Sequence, residues 1–188
     1  MCISVRFNNV VSYEGTDKIG IGKSLAIFSA FAEGVSLYSA FAVLYSFQLR
    51  NLLKGIGQQM KWSVRDESLH SKMGCQLFRH MCSQIPGLKE ECKEHVYDAA
   101  LTMHNAEMTY ISKLFEMGDI EGITEYDLKH FIKKRTGDKI KELGYKAEGK
   151  FKFEYDQKSI DKMAWFDHLT GGHTHTDFFA VRPTDYSK

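Results

Sequence analysis

The chain has 188 residues, 43% of them hydrophobic, enough for one buried core and no more than one domain. Its 25 basic and 24 acidic side chains leave a formal charge of +1 with both signs interspersed, which excludes a nucleic-acid patch or an anionic-membrane surface as an expectation. Four cysteines, Cys2, Cys75, Cys82 and Cys92, form no CxxC pair and no cleavable signal follows Met1, so reduced thiols in a cytoplasmic setting are expected. In chain order, Gly20 and Gly22 precede a helix predicted from about Ser24 to Leu53. Gly55 and Gly57 separate it from a second, from about Gln58 to Cys82. Pro86 and Gly87 then open a third, Leu88 to Met117, whose apolar stripe is Val96, Ala99, Ala100, Met103 and Met108. Thr124 to Leu143 and Ser159 to Leu169 complete an all-α reading. Residues 1–188 read as a single partial domain with an extended tail from about Gly171, and with no internal repeat.

Glu33 is the only charged side chain between Lys23 and Arg50. A carboxylate in so apolar a run needs protonation, a partner or a metal. The run from Ser24 to Leu49 is also long enough to span a bilayer, but a central Glu33, several serines and the lack of a second span favour a helix buried on all sides by protein. The next helix supplies the partner. Glu67 and His70 stand at i, i+3, with Cβ atoms roughly 5–6 Å apart on one helical face. Glu33, Glu67 and His70 therefore read as three ligands, and one Glu plus one Glu-x-x-His is half the ligand set of a di-metal carboxylate bundle. Of the remaining histidines only His130 follows an acid by three residues, Asp127; that acid is expected to support the helix start at Thr124, beside the wetted lysines 129, 133 and 134. The sequence thus holds half a dinuclear site.

The segments Phe31-Ala-Glu33-Gly-Val-Ser and Trp62-Ser-Val-Arg65-Asp66-Glu67-Ser-Leu-His70, with the ending Phe178-Phe179-Ala-Val-Arg182, resemble the C-terminal half of the class I ribonucleotide reductase small subunit. The resemblance covers nearly the whole chain and implies a ferritin-like helical bundle, usually a homodimer. It implies a dinuclear iron, manganese or mixed Mn/Fe centre that reacts with oxygen to make a radical oxidant for the large (alpha) subunit. There, ribonucleotides are reduced to deoxyribonucleotides for DNA synthesis. By the same resemblance Glu33 is a terminal ligand of the second metal, Glu67 a bridging carboxylate and His70 that metal's imidazole. Asp66 matches a position on the radical-transfer route that hydrogen-bonds a metal-bound His, and Leu37 and Phe41, at i+4 and i+8 from Glu33, would line the dry pocket around the radical.

Each assignment has a structural competitor: Glu33 as a hydrogen-bonded core acid, Glu67 with His70 as a surface pair, Asp66 paired to Arg65 or a lysine, Leu37 and Phe41 as plain core. His173 and His175 read as solvated loop rather than a zinc site, and the cysteines as packing residues. The family's first Asp ligand, first Glu-x-x-His, radical tyrosine and initiating tryptophan have no counterpart here, and neither Tyr38, Tyr45 nor Tyr186 takes the radical role. Three readings follow: a small-subunit part that needs an N-terminal half, two copies sharing a symmetric site with ferroxidase or oxygen chemistry, or a non-catalytic remnant that packs against another subunit.

Overall fold

In the computed structural model the described residues are 17–170, with side chains through Asp167. The terminal tail, Cys2, His173, His175 and Tyr186 lie outside them. The described residues form an all-α bundle, with an isolated bridge between Ile120 and Ile123. The helices are α1 (Lys18–Ile27), which continues into a π-helical segment (Phe28–Ala32), then α2 (Tyr38–Leu49), α3 (Lys54–Gln84), α4 (Leu88–Phe115), α5 (Glu125–Glu142), α6 (Gln157–Lys162) and α7 (Ala164–Thr170). Around them packs a core that includes Phe31, Val35, Tyr38, Phe78, Leu88, Ile111, Leu128, Ile132 and Phe166.

The first predicted helix is not continuous. It starts earlier, at Lys18, because the Asp17 carboxylate accepts the backbone N–H of Ile19 and Gly20, and it breaks after Glu33. Gly20 and Gly22 lie inside α1; a side chain at Gly22 would stand 2.9 Å from Leu88 Cδ1, so the glycine lets α1 press onto α4. Gly55 and Gly57 likewise sit inside α3, and the chain reverses instead through Asn51 and Leu53, with φ of 63° and 48°. Gly57 is a close-approach position, since a Cβ there would meet the Gln48 side chain at 2.1 Å. Nor is the apolar run buried on all sides: Phe28, Leu37 and Leu49 are each about half exposed. Among the described residues no helix is long and apolar enough to cross a membrane.

The later helices follow their end signals closely. Thr124 Oγ1 accepts the Asp127 N–H at 3.0 Å, so Asp127 supports the start of α5, where Lys162 Nζ also reaches its carboxylate at 3.3 Å. The fifth predicted helix splits at Met163 into α6 and α7. Cys75 and Cys92 are free and buried, and desolvation pushes both thiols up to about 11, which leaves them as unreactive packing groups.

Candidate metal centre

Glu33 ends the π-helical segment. Its N–H bonds to the Phe28 carbonyl and that of Ser36 to Phe31, both five residues back, so one extra residue is wound into the helix there. Gly34 follows, and a side chain on it would strike the Ala30 carbonyl, Ser71 Oγ and Lys139 Cε. The glycine thus lets this turn lie directly on α3 and α5. At Gly74, a second contact point, a Cβ would fall 1.9 Å from Ser29 Oγ. These approaches seat Glu33 against the stretch of α3 that carries Glu67 and His70.

One ligand atom each from Glu33, Glu67 and His70 lies within 4.8 Å of the other two, a cluster that fits a small cation. Glu33 Oε1 is 3.9 Å from His70 Nδ1, and the opposite ring nitrogen, Nε2, is 3.5 Å from Asp66 Oδ1. Partial burial raises the Glu33 carboxyl above its ordinary range, opposed by His70 and reinforced by Glu67 and Asp66. Two carboxylates and an imidazole are hard to borderline donors that suit iron or manganese. Asp66, two-thirds exposed, faces His70 rather than Arg65 or a lysine.

The pocket-lining expectation changes at Leu37. That residue adopts φ 73° at the start of α2 and is half exposed, whereas Phe41 is 9% exposed and sits in the core. The i+4 and i+8 register assumed an unbroken helix, and the π turn and the following break remove the shared face. Tyr38 is fully buried, with its hydroxyl 2.9 Å from Ser68 Oγ and the Arg135 guanidinium 3.3 Å from its ring centroid. A cation on the ring face opposes loss of an electron from that ring.

Two ionisable residues that sequence reading passed over meet this break. Glu107 of α4, only 3% exposed, accepts the Ser39 hydroxyl at 2.5 Å; burial raises its carboxyl above the ordinary range, and that hydroxyl and the backbone N–H groups of Leu37 and Ser39 oppose the rise. Arg135 of α5 donates its Nε–H to the Gly34 carbonyl. The signal for both was spacing: Glu107 lies in the seam Val96, Ala100, Met103, Glu107, Ile111, and Arg135 in the seam Leu128, Ile132, Arg135, Lys139.

The family model "Ribonucleotide reductase, small chain" matches residues 6–150. A probable ribonucleoside-diphosphate reductase small subunit of Invertebrate iridescent virus 3 is 30% identical over 191 residues, covering 97% of this chain and 47% of that protein. Its counterpart in Invertebrate iridescent virus 6 is 30% identical over 193 residues, covering 91% and 52%. The ribonucleoside-diphosphate reductase subunit beta of Enterobacteria phage T4 is 26% identical over 118 residues, covering 60% and 30%. This chain therefore spans about half the length of the two iridescent-virus relatives.

Proposed function

Because the chain belongs to the ribonucleotide reductase small-chain family, we propose that it supplies one half of the dinuclear metal centre of a ribonucleoside-diphosphate reductase small subunit. The observation that carries this reading is the convergence of Glu33, Glu67 and His70 from two separate elements on one point. Glu33 is a terminal ligand, Glu67 a carboxylate placed to bridge, and His70 ligates through Nδ1, the nitrogen that faces Glu33. Asp66, 3.5 Å from Nε2, is the acceptor for that nitrogen's N–H and so favours the tautomer that leaves Nδ1 free for the metal. When bound, an iron or manganese pair supplies the one-electron oxidising power that the family delivers to its large subunit. This chain's own part is to hold the carboxylates and imidazole in place, with Glu33 anchored between the fully buried Phe31 and Val35 of its own segment.

The missing ligands come from a partner segment equivalent to the N-terminal half of the viral relatives. Support comes from the outer face of α3, where Leu69, Met73 and Leu77, each more than half exposed, form an i, i+4, i+8 apolar stripe alongside Asp66 and His70. A helix packed on that stripe would also cover the open side of the metal cluster. The working assembly is cytoplasmic, includes a large subunit and is built on a small-subunit homodimer.

The test is metal content and association state of the purified chain, alone and with a candidate N-terminal half, with Glu67→Ala as control. Two metals per reconstituted pair, lost in the control, are expected. Two metals per homodimer of this chain alone would instead favour a self-paired centre with ferroxidase or oxygen chemistry. No metal in any combination overturns the metal-centre reading and leaves a structural remnant.

A further inference from the structure

The helix break after Glu33 leaves backbone groups that must be satisfied inside the protein. A broken helix exposes carbonyls at the end of one piece and N–H groups at the start of the next, and burying either without a partner costs about 1–3 kcal/mol. Here no local side chain does the work: Leu37, at the N-cap of α2, makes no side-chain cap, and its own backbone holds a left-handed φ of 73° that a branched residue adopts only under constraint. The partners arrive instead from two other helices. Glu107 of α4 accepts the Ser39 hydroxyl at 2.5 Å, with the N–H groups of Leu37 and Ser39 favouring its anion; Arg135 of α5 donates its Nε–H to the Gly34 carbonyl and lies over the Tyr38 ring. The signs match the polarity of the two ends. A carboxylate meets the N-terminal end of α2, and a guanidinium meets a carbonyl at the end of the segment before it.

We infer that Glu107 and Arg135 are positioning residues that clamp the two ends of the break and thereby set where the Glu33 carboxylate stands relative to Glu67 and His70. Neither touches the metal cluster; both act through the backbone. Gly34 links the two, since it is bonded to Glu33 and its carbonyl is the atom held by Arg135. Val35 N–H and Ser36 N–H bond back to Phe31, so within residues 34–37 the clamp supplies what the chain itself does not. The consequence for the metal rests on the proposed reading of Glu33 as a ligand; the clamp itself does not.

Two readouts on the full chain, together with its N-terminal partner where one is required, test this. Amide hydrogen exchange reads the clamp directly. In Glu107→Ala the Leu37 and Ser39 amides should exchange at least tenfold faster than in the parent, while Val96 and Ala100, on the same helix as the substitution, stay within threefold. Glu107→Gln, which keeps an acceptor oxygen, should restore most of the protection. Arg135→Met should leave both amides protected and should alter Co(II) binding instead. Co(II) added as the metal probe reads the consequence: Glu107→Ala and Arg135→Met should each weaken it at least tenfold and shift its visible absorption bands. Phe153→Leu, remote from the break and chosen to lower the melting temperature comparably, should do neither. Unchanged exchange at Leu37 and Ser39 in Glu107→Ala overturns the clamp, as does an equal loss of Co(II) in the Phe153 control. If the parent chain binds no Co(II), the reading of Glu33 as a ligand fails, and the exchange data alone decide whether the clamp exists.

Discussion

Glu33 Oε1 and His70 Nδ1 face each other at 3.9 Å, although one lies on a π turn and the other on a straight helix 37 positions further along the chain. The gap is too long for a hydrogen bond and of the size a bridging cation closes. Without that cation, Glu33 stands beside Glu67 and Asp66 with its carboxyl already disfavoured as an anion. Glu33→Gln is therefore expected to abolish metal binding and yet to stabilise the metal-free protein by ~1 kcal/mol, which raises its melting temperature by about 2–4 °C. Parallel metal analysis and thermal unfolding in chelator check both halves of this expectation. A lower melting temperature in Glu33→Gln would make Glu33 a structural hydrogen-bonding acid instead.

Asp66 is expected to matter through His70 alone. Its carboxylate lies 3.5 Å from Nε2 and is largely exposed, so Asp66→Asn should leave folding within about 0.5 kcal/mol of the parent. Metal affinity should fall roughly 10–100-fold, since a neutral amide, which can donate as well as accept, replaces the acceptor-only carboxylate that favours one imidazole tautomer. Competition titration against a chelator of known affinity measures it, and equal affinity in both proteins would remove Asp66 from the site.

The two segments that carry the proposed ligands differ in how far they can be read from sequence, and the difference is physical. Glu67 and His70 share one uninterrupted helix, so a spacing argument transfers directly to space. Glu33 was legible as an isolated charge in an apolar run, which needs no assumption about geometry. Leu37 leaves the face that the i+4 register assigns to it because the helix breaks between Glu33 and Tyr38, and the uniformly apolar run has no change of periodicity there to announce the break. Loop boundaries failed for a related reason: Gly55 and Gly57 are there for close contact inside α3, while the turn itself is made by Asn51 and Leu53. Glu107 and Arg135 were hidden because each serves backbone groups on another helix, a relationship that no local pattern encodes.

The contact between Gly74 and Ser29 gives a packing test of the same site. A methyl group at position 74 would overlap the Ser29 side chain, with Cβ at 2.5 Å from Ser29 Cβ. Gly74→Ala should destabilise the protein by ~1–3 kcal/mol and push the π segment off α3, so that metal affinity falls with stability. Adding Ser29→Gly removes the clashing atoms and should recover part of both. Urea unfolding alongside metal titration of the single and double variants separates this from a simple helix-propensity gain, in which Gly74→Ala would be stabilising.

His104 provides the acid limb of the stability profile. Its ring packs against Phe153 with centroids 4.6 Å apart and planes tilted by 52°, its Nδ1 is buried without a hydrogen-bond partner, and burial with Lys133 nearby lowers its pKa from 6.5 to about 4. The fold therefore binds the neutral imidazole and the unfolded chain takes up a proton first. Stability is unaffected by this group above pH 6.5, declines as pH falls from there towards 4, and levels off below. With the ring partly open to solvent, the total loss is expected at ~2 kcal/mol, or about 4–8 °C in melting temperature. His104→Gln should flatten that limb specifically, with the two proteins' stabilities running parallel above pH 7. An unchanged acid limb in His104→Gln would assign the decline to other groups, first among them Asp127 and Asp156, whose hydrogen bonds hold their carboxyls below the ordinary range.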